Sequence, residues 1–155
     1  MVEAKGRMSD VRVRGNSRKK LLLCIDDHAE VLELLREFLE VSGFSVLTAI
    51  NGRQGLKALE KNPVDAVLVD YDMPGMKGDA VAAQIQKTQP NVPILIFSGY
   101  AADLPARIHS VADGVFMKGE KATELLAAIR RLFRAPRKKL AVRASREAVR
   151  RRRAS

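Results

Sequence analysis

The stretch VDAVLVDYDMPGMKG, residues 64–78, decides the fold. Its first seven residues are apolar apart from Asp65 and the closing Asp70, with valines at 64, 67 and 69. So short and β-branched a run, bounded by turn residues, reads as a strand, and its near-continuous apolarity marks it as buried on both faces. Asn62-Pro63 introduces it, and Pro74, Gly75 and Gly78 make a loop behind it. Helical spacing then runs from about Asp79 to Thr88. The stretch is therefore a strand, a loop and the start of a helix, with Asp70 at the strand's carboxyl end.

The same unit recurs on both sides. Upstream, KLLLCI (residues 20–25) reads as a buried strand, and the helix after it sets Val31, Leu32, Leu35, Phe38 and Leu39 on one face, with Gly43 as its stop. FSVLTAI (44–50) is the second strand, and Asn51 caps a helix running to about Lys61. Downstream come the strand VPILIFS (92–98), a short Pro-interrupted helix near 102–110, the strand VFM (115–117) and a last helix over about 123–133. Five strands, each followed by a helix, imply an α/β fold, a doubly wound parallel sheet whose right-handed crossovers cover both faces. Chemistry in such sheets collects outside the carboxyl ends of the strands. Those positions hold Asp26 and Asp27, Asp70, Ser98 and Lys118.

The 155 residues, 46% apolar and 30% charged, fit one domain large enough to need no disulfide or structural metal. The formal charge of +10 is unevenly spread. Residues 1–20 carry seven Lys/Arg against two acids, residues 130–155 twelve against one, and residues 21–129 nine against fifteen. The chain thus divides into a basic N-terminal arm (1–19), a globular centre (20–134) and an Arg/Lys-rich tail (135–155) that reads as a frayed helix or a solvated coil. Cys24 has no disulfide partner and lies in the apolar LLLCI, which points to a buried thiol and a reducing, cytoplasmic setting. No apolar stretch approaches the roughly 20 residues that span a bilayer, and the first 20 residues lack a signal core. His28 and His109 have no cysteine or second histidine at ligand spacing and read as surface or capping residues. Tyr71 and Phe97 read as core or partly covered aromatics.

The ordered set CIDD, VLVDYDMPGMKG, IFSG and FMK, each at a strand end, resembles the receiver domain of bacterial two-component response regulators over about residues 20–134. The resemblance implies a flavodoxin-like (βα)5 sheet of strand order 2-1-3-4-5. It also implies that Asp70 is the phosphoacceptor, and that Asp26, Asp27, Asp70 and the backbone carbonyl of Asp72 hold Mg²⁺, with Mn²⁺ as the alternative. Ser98 and Lys118 would then meet phosphoryl oxygens. The residue chemistry agrees: crowded carboxylates repel one another unless a hard cation sits among them, and a transferring phosphoryl group needs donors around its oxygens. As a family member the chain would be a signalling module rather than an enzyme, apart from its own phosphorylation and dephosphorylation. A histidine kinase or histidine phosphotransfer protein would feed it. Its fourth helix, fifth strand and fifth helix would display the switch to an output protein, and phosphorylation could bring two copies together. The twenty or so residues after the last helix are too few for an effector domain, so the chain reads as a stand-alone receiver.

Several positions depart from the family pattern. Gly119 stands where a proline usually follows the lysine, which predicts a freer Lys118 loop. Val115 replaces the usual aromatic switch residue, with Phe116 one place on and facing the other side of the strand. Gly55 in NGRQGL predicts a locally soft second helix. Asp72 and Tyr100 stand where side chains shape the access of hydrolytic water. Two other functions fit parts of the chain. The basic ends suit the phosphate backbone of nucleic acid or an acidic partner, as in a phosphorylation-independent scaffold. Asp70-Tyr71-Asp72 spells the DxD of haloacid-dehalogenase-like phosphatases.

Overall fold

A computed structural model describes residues 17–100 and 104–135. The expectations for most of the N-terminal arm and for the tail past Ala135 lie outside the described residues. Five strands, β1 (Leu21–Ile25), β2 (Ser45–Ala49), β3 (Ala66–Asp70), β4 (Ile94–Ser98) and β5 (Gly114–Met117), form one sheet in the order β2-β1-β3-β4-β5, all parallel. The helices are α1 (Ala29–Val41), α2 (Gly52–Lys61), α3 (Gly78–Thr88), α4 (Ile108–Val111) and α5 (Ala122–Arg134). No described helix is long and apolar enough to cross a membrane.

Strand alternation builds two cores. Leu23, Ile25, Val67, Val69, Ile94 and Ile96 point to one face, where they meet Leu59 of α2, Val81 and Ile85 of α3 and Ile108 of α4. Leu22, Cys24, Leu68, Leu95 and Phe97 point to the other, against Leu32 and Leu39 of α1 and Leu125, Ile129 and Leu132 of α5. Every residue of β3 and β4 is buried, which is why these two strands show no polar alternation. Cys24 of β1 is buried as well, its thiol pushed up to about 12 by loss of solvent, so it stays protonated and unreactive.

Most elements match the sequence reading to within a residue or two at either end. Asn51 caps α2 as expected, its side chain accepting from the Gln54 N–H at 2.8 Å. One expectation is corrected. Among the described residues the fourth helix covers Ile108–Val111, with 104–107 outside it, and the expected start at Ala102 lies outside the described residues. Pro105 has no N–H to give to a helix already begun, and its carbonyl instead accepts from Ile108 N–H in a turn that leads into α4. Gly55 also has a packing role: a Cβ there would meet Ile25 Cδ1, so the glycine lets α2 approach β1 closely.

Two contacts place the ends of the domain. Lys20 Nζ lies 5.4 Å from the centroid of the Phe133 ring, and Phe133 stacks on Phe44 at 6.5 Å. The entry to β1 and the end of α5 therefore meet at the amino-terminal edge of the sheet. Elsewhere, Asp79 in the first turn of α3 is 3% exposed and accepts from Arg107 Nε at 2.8 Å and Nη2 at 2.5 Å, which ties α3 to the start of α4. Removing the arginine strands a buried carboxylate. Because Arg107 is itself largely exposed and partly screened, Arg107→Ala is expected to cost about 2 kcal/mol in urea unfolding, below the range for a fully buried pair, with faster amide exchange over 108–111.

Candidate functional site

The register sets the strand ends level. Asp70 of β3 faces Phe97 of β4, and Ser98 of β4 faces Met117 of β5, so Asp70, Ser98 and Lys118 emerge side by side. Asp26 and Asp27 leave the end of β1 next to β3, and Asp26 N–H is held by the Ala49 carbonyl at 3.1 Å. Asp26 and Asp70 are each 3% exposed. The structure brings all five side chains named from the sequence to this one edge.

Lys118 Nζ sits 3.0 Å from Asp70 Oδ1 and 3.6 Å from Asp26 Oδ2, a single ammonium between two buried carboxylates. Its backbone is fixed rather than free. Lys118 N–H donates to Ser98 O at 2.8 Å, Glu120 N–H to Met117 O at 3.3 Å, and Gly119 between them has φ +100°. A proline, locked near −65°, cannot take that conformation, so the turn here is one that the family's usual proline could not make. Behind Asp70, Gly78 lets the start of α3 press onto the strand end. A Cβ there would lie 2.5 Å from the Asp70 carbonyl oxygen and 2.7 Å from Tyr71 Cα, and Gly78 N–H donates to Tyr71 O at 2.8 Å.

Ser98 is buried and its hydroxyl is engaged locally, donating to Tyr100 O at 2.9 Å and accepting from Tyr100 N–H at 3.2 Å. The Tyr100 ring is 74% exposed. Asp72 turns its carboxylate outward to Lys77 Nζ at 2.9 Å, and Lys77 also lies over the Tyr71 ring. Phe116 is buried against Phe97 at 5.3 Å on the α1/α5 side, while Val115 packs on the α3/α4 side, as the sequence predicts. Tyr71 is partly covered and Phe97 lies in the core, also as expected.

Burial pushes the Asp70 carboxyl up, the Lys118 hydrogen bond pulls it back, and the charge of Asp26 raises it again; the net direction is up. Lys118 loses some basicity to burial, but the hydrogen bond to Asp70 and the charges of Asp70 and Asp26 outweigh that, and its pKa is raised. A lysine with a folded pKa above its unfolded one stabilises the fold fully below the ordinary value of 10.5 and loses that contribution as pH rises through the raised one. The stability difference between wild type and Lys118→Gln in urea unfolding is therefore expected to be flat through neutral pH and to shrink in the alkaline range.

The carboxylates fit a divalent ion. One ligand atom each from Asp26, Asp27, His28 and Asp70 lies within 4.8 Å of the others, and Asp27 Oδ1 is buried without a hydrogen-bond partner. Three carboxylates against one ammonium leave negative charge, which hard oxygen-seeking cations relieve. His28 is exposed at the N-cap of α1, as the sequence reading has it, but what the sequence does not show is that its Nδ1 lies 3.1 Å from both acids. Asp79 and Arg107 gave no signal, since the residues that pair are 28 positions apart.

A family model for the response regulator receiver domain matches residues 22–130. The transcriptional regulatory protein GlrR of Escherichia coli K12 is 38% identical over 95 residues, covering 61% of this chain and 21% of GlrR. The transcriptional regulatory protein PrrA of Mycobacterium tuberculosis H37Rv is 31% identical over 115 residues, covering 73% of this chain and 49% of PrrA. The chain thus spans between about a fifth and a half of the length of these relatives. Among solved structures, the response regulator protein TrrA of Thermotoga maritima, in complex with Mg²⁺-BeF, superposes with a TM-score of 0.69 at 31% identity, covering 73% of this chain and 98% of TrrA. TrrA bound to the histidine kinase ThkA matches with a TM-score of 0.67. These likenesses bear out the receiver reading and its strand order, and lend no support to the phosphatase or scaffold readings.

Proposed function

Because this chain belongs to the response regulator receiver domain family, we propose that Asp70 is its phosphoacceptor and that the domain is a phosphorylation-controlled switch in a two-component relay. The observation that carries this is the placement of Asp70: buried at a strand end, 3.0 Å from Lys118 and clustered with Asp26 and Asp27. The phosphodonor is a histidine kinase or a histidine phosphotransfer protein, in keeping with TrrA and ThkA. An Asp70 carboxylate oxygen attacks the phosphorus, the P–N bond to the donor imidazole breaks, and the imidazole leaves with a proton while Asp70 becomes an acyl phosphate.

Asp26, Asp27, Asp70 and the Asp72 carbonyl would hold Mg²⁺, or Mn²⁺ in its place. Bound there, the ion neutralises the carboxylates and one phosphoryl oxygen. Lys118 already points at Asp70 and meets a second oxygen. Ser98 reaches a third by giving up its hydrogen bond to the Tyr100 carbonyl, which reshapes the segment after β4. The phosphoryl group adds about −1.5 to −2 charges, enough to draw both donors inward. The consequence is displayed on the α4-β5-α5 face, and it passes without a mobile ring, since Phe116 is locked against Phe97 on the other side of the sheet. The setting is cytoplasmic, where kinase domains are found and where a free buried thiol such as Cys24 persists.

Intact-mass spectrometry after incubation with acetyl phosphate tests this. Wild type is expected to gain one phosphoryl group only when Mg²⁺ is present, and Asp70→Asn none. An adduct that persists in Asp70→Asn, or a wild type that neither gains an adduct nor binds beryllofluoride, would remove Asp70 from the role.

A further inference from the structure

His28 stands at the N-cap of α1, but its side chain makes no capping hydrogen bond. Its ring turns instead toward the acidic pair, with Nδ1 3.1 Å from Asp26 Oδ1 and 3.1 Å from Asp27 Oδ1. The backbone takes part as well, since His28 N–H donates to Asp26 Oδ1 at 2.9 Å and fixes the start of the side chain beside the cluster. One ring nitrogen cannot aim at two oxygens at once. It is hydrogen-bonded to Asp26, and Asp27 Oδ1 is left buried and unpartnered beside it. One ligand atom from each of Asp26, Asp27, His28 and Asp70 falls within a 4.8 Å cluster. Metal–ligand bonds of about 2.0 to 2.2 Å would close that cluster with only a small contraction.

We propose that His28 is a side-chain ligand of the divalent ion in this site and tilts its preference from Mg²⁺ toward Mn²⁺. The inference rests on the receiver reading and adds to it a ligand and a selectivity. Magnesium demands oxygen and binds imidazole poorly, whereas first-row transition ions accept it readily. A site of carboxylates alone discriminates weakly between the two ions. Adding one imidazole to carboxylates already gathered strengthens the hold on Mn²⁺ and adds nothing for Mg²⁺. The ring is largely exposed, so it can leave Asp26 and rotate onto the ion without disturbing the core.

Electron paramagnetic resonance of Mn²⁺ added to the full chain provides the test, because a nitrogen bonded directly to Mn²⁺ modulates the spin echo. The sequence contains only one other histidine, His109, which makes the assignment simple. Wild type and His109→Gln are expected to show the nitrogen modulation, and His28→Gln to lose it. Mn²⁺ affinity in His28→Gln should fall about tenfold, with Mg²⁺ affinity, read by competition, changed less than about twofold. If Mn²⁺ binds, is lost in Asp27→Asn, and shows no nitrogen modulation in wild type, His28 is not a ligand and the receiver site stands. If Mn²⁺ binding survives both Asp27→Asn and Asp70→Asn, or does not occur at all, the site reading fails and the inference falls with it.

Discussion

Lys118→Gln is expected to slow phosphoryl uptake from acetyl phosphate by about 10²- to 10³-fold, the usual effect of removing one preorganised donor from a developing oxyanion. The lysine has two tasks, and the substitution ends both. Before transfer it is the cation found at hydrogen-bonding distance from Asp70, and it helps keep that carboxyl ionised against the burial that pushes it up. In the proposed transfer its ammonium would meet an oxygen whose charge is increasing. Glutamine keeps a donor on a side chain one bond shorter and removes the charge, so a single-turnover time course by intact mass reads the loss of the placed ammonium. An unchanged rate would reduce Lys118 to a structural partner of Asp26 and Asp70. The fold should persist, because the side chain lies at the surface edge and neither core depends on it.

Gly78→Ala is expected to destabilise the domain by about 3 kcal/mol, at the upper end of overpacking costs. The atoms a methyl group would strike, the Asp70 carbonyl oxygen and Tyr71 Cα, are backbone at the end of a fully buried strand, so no rotamer change relieves the contact. Either α3 backs away, opening the contacts of Val81 and Ile85, or the strand end moves and takes Asp70 with it. Urea unfolding reads the first and the phosphorylation rate the second. Gly99→Ala is the matched comparison: it lies beside Ser98 with nothing within 4 Å of its Cβ position, and its stability should stay within about 0.5 kcal/mol of wild type. Equal losses in the two variants would mean that close approach at Gly78 is not what the glycine provides.

The sheet was legible because β3 and β4 are buried on both faces, and such strands announce themselves as unbroken apolar runs. Asp26, Asp27, Asp70, Ser98 and Lys118 were legible for a related reason. Each directly ends or follows an apolar strand, β1, β3, β4 or β5, and parallel register brings such positions together without further information. What stayed hidden depends on geometry that sequence spacing does not encode. Gly119 marks a missing proline in the sequence, and only its φ of +100° shows that the turn takes a conformation proline cannot adopt. Gly55 looked like a weak helix position because Ile25, the side chain it accommodates, is 30 residues away on another element. The fourth helix was overextended because apolar spacing near Pro105 does not show where a helix begins. His28 gives no ligand signal in sequence because no second histidine or cysteine stands at ligand spacing, and only the fold sets its imidazole beside carboxylates.

The meeting of Lys20 with Phe133 means that the domain's two ends sit together, on the side of the sheet away from the carboxylates. Topology then gives way to permutation. A short flexible linker from residue 135 to residue 17, with new termini opened in the exposed turn around Pro90 and Asn91, keeps every strand, both cores and all five site residues in place. The order in which the chain visits the strands is thus a matter of history rather than of mechanism. By the same geometry, a tag fused at residue 17 or residue 135 would stand away from the carboxylate edge.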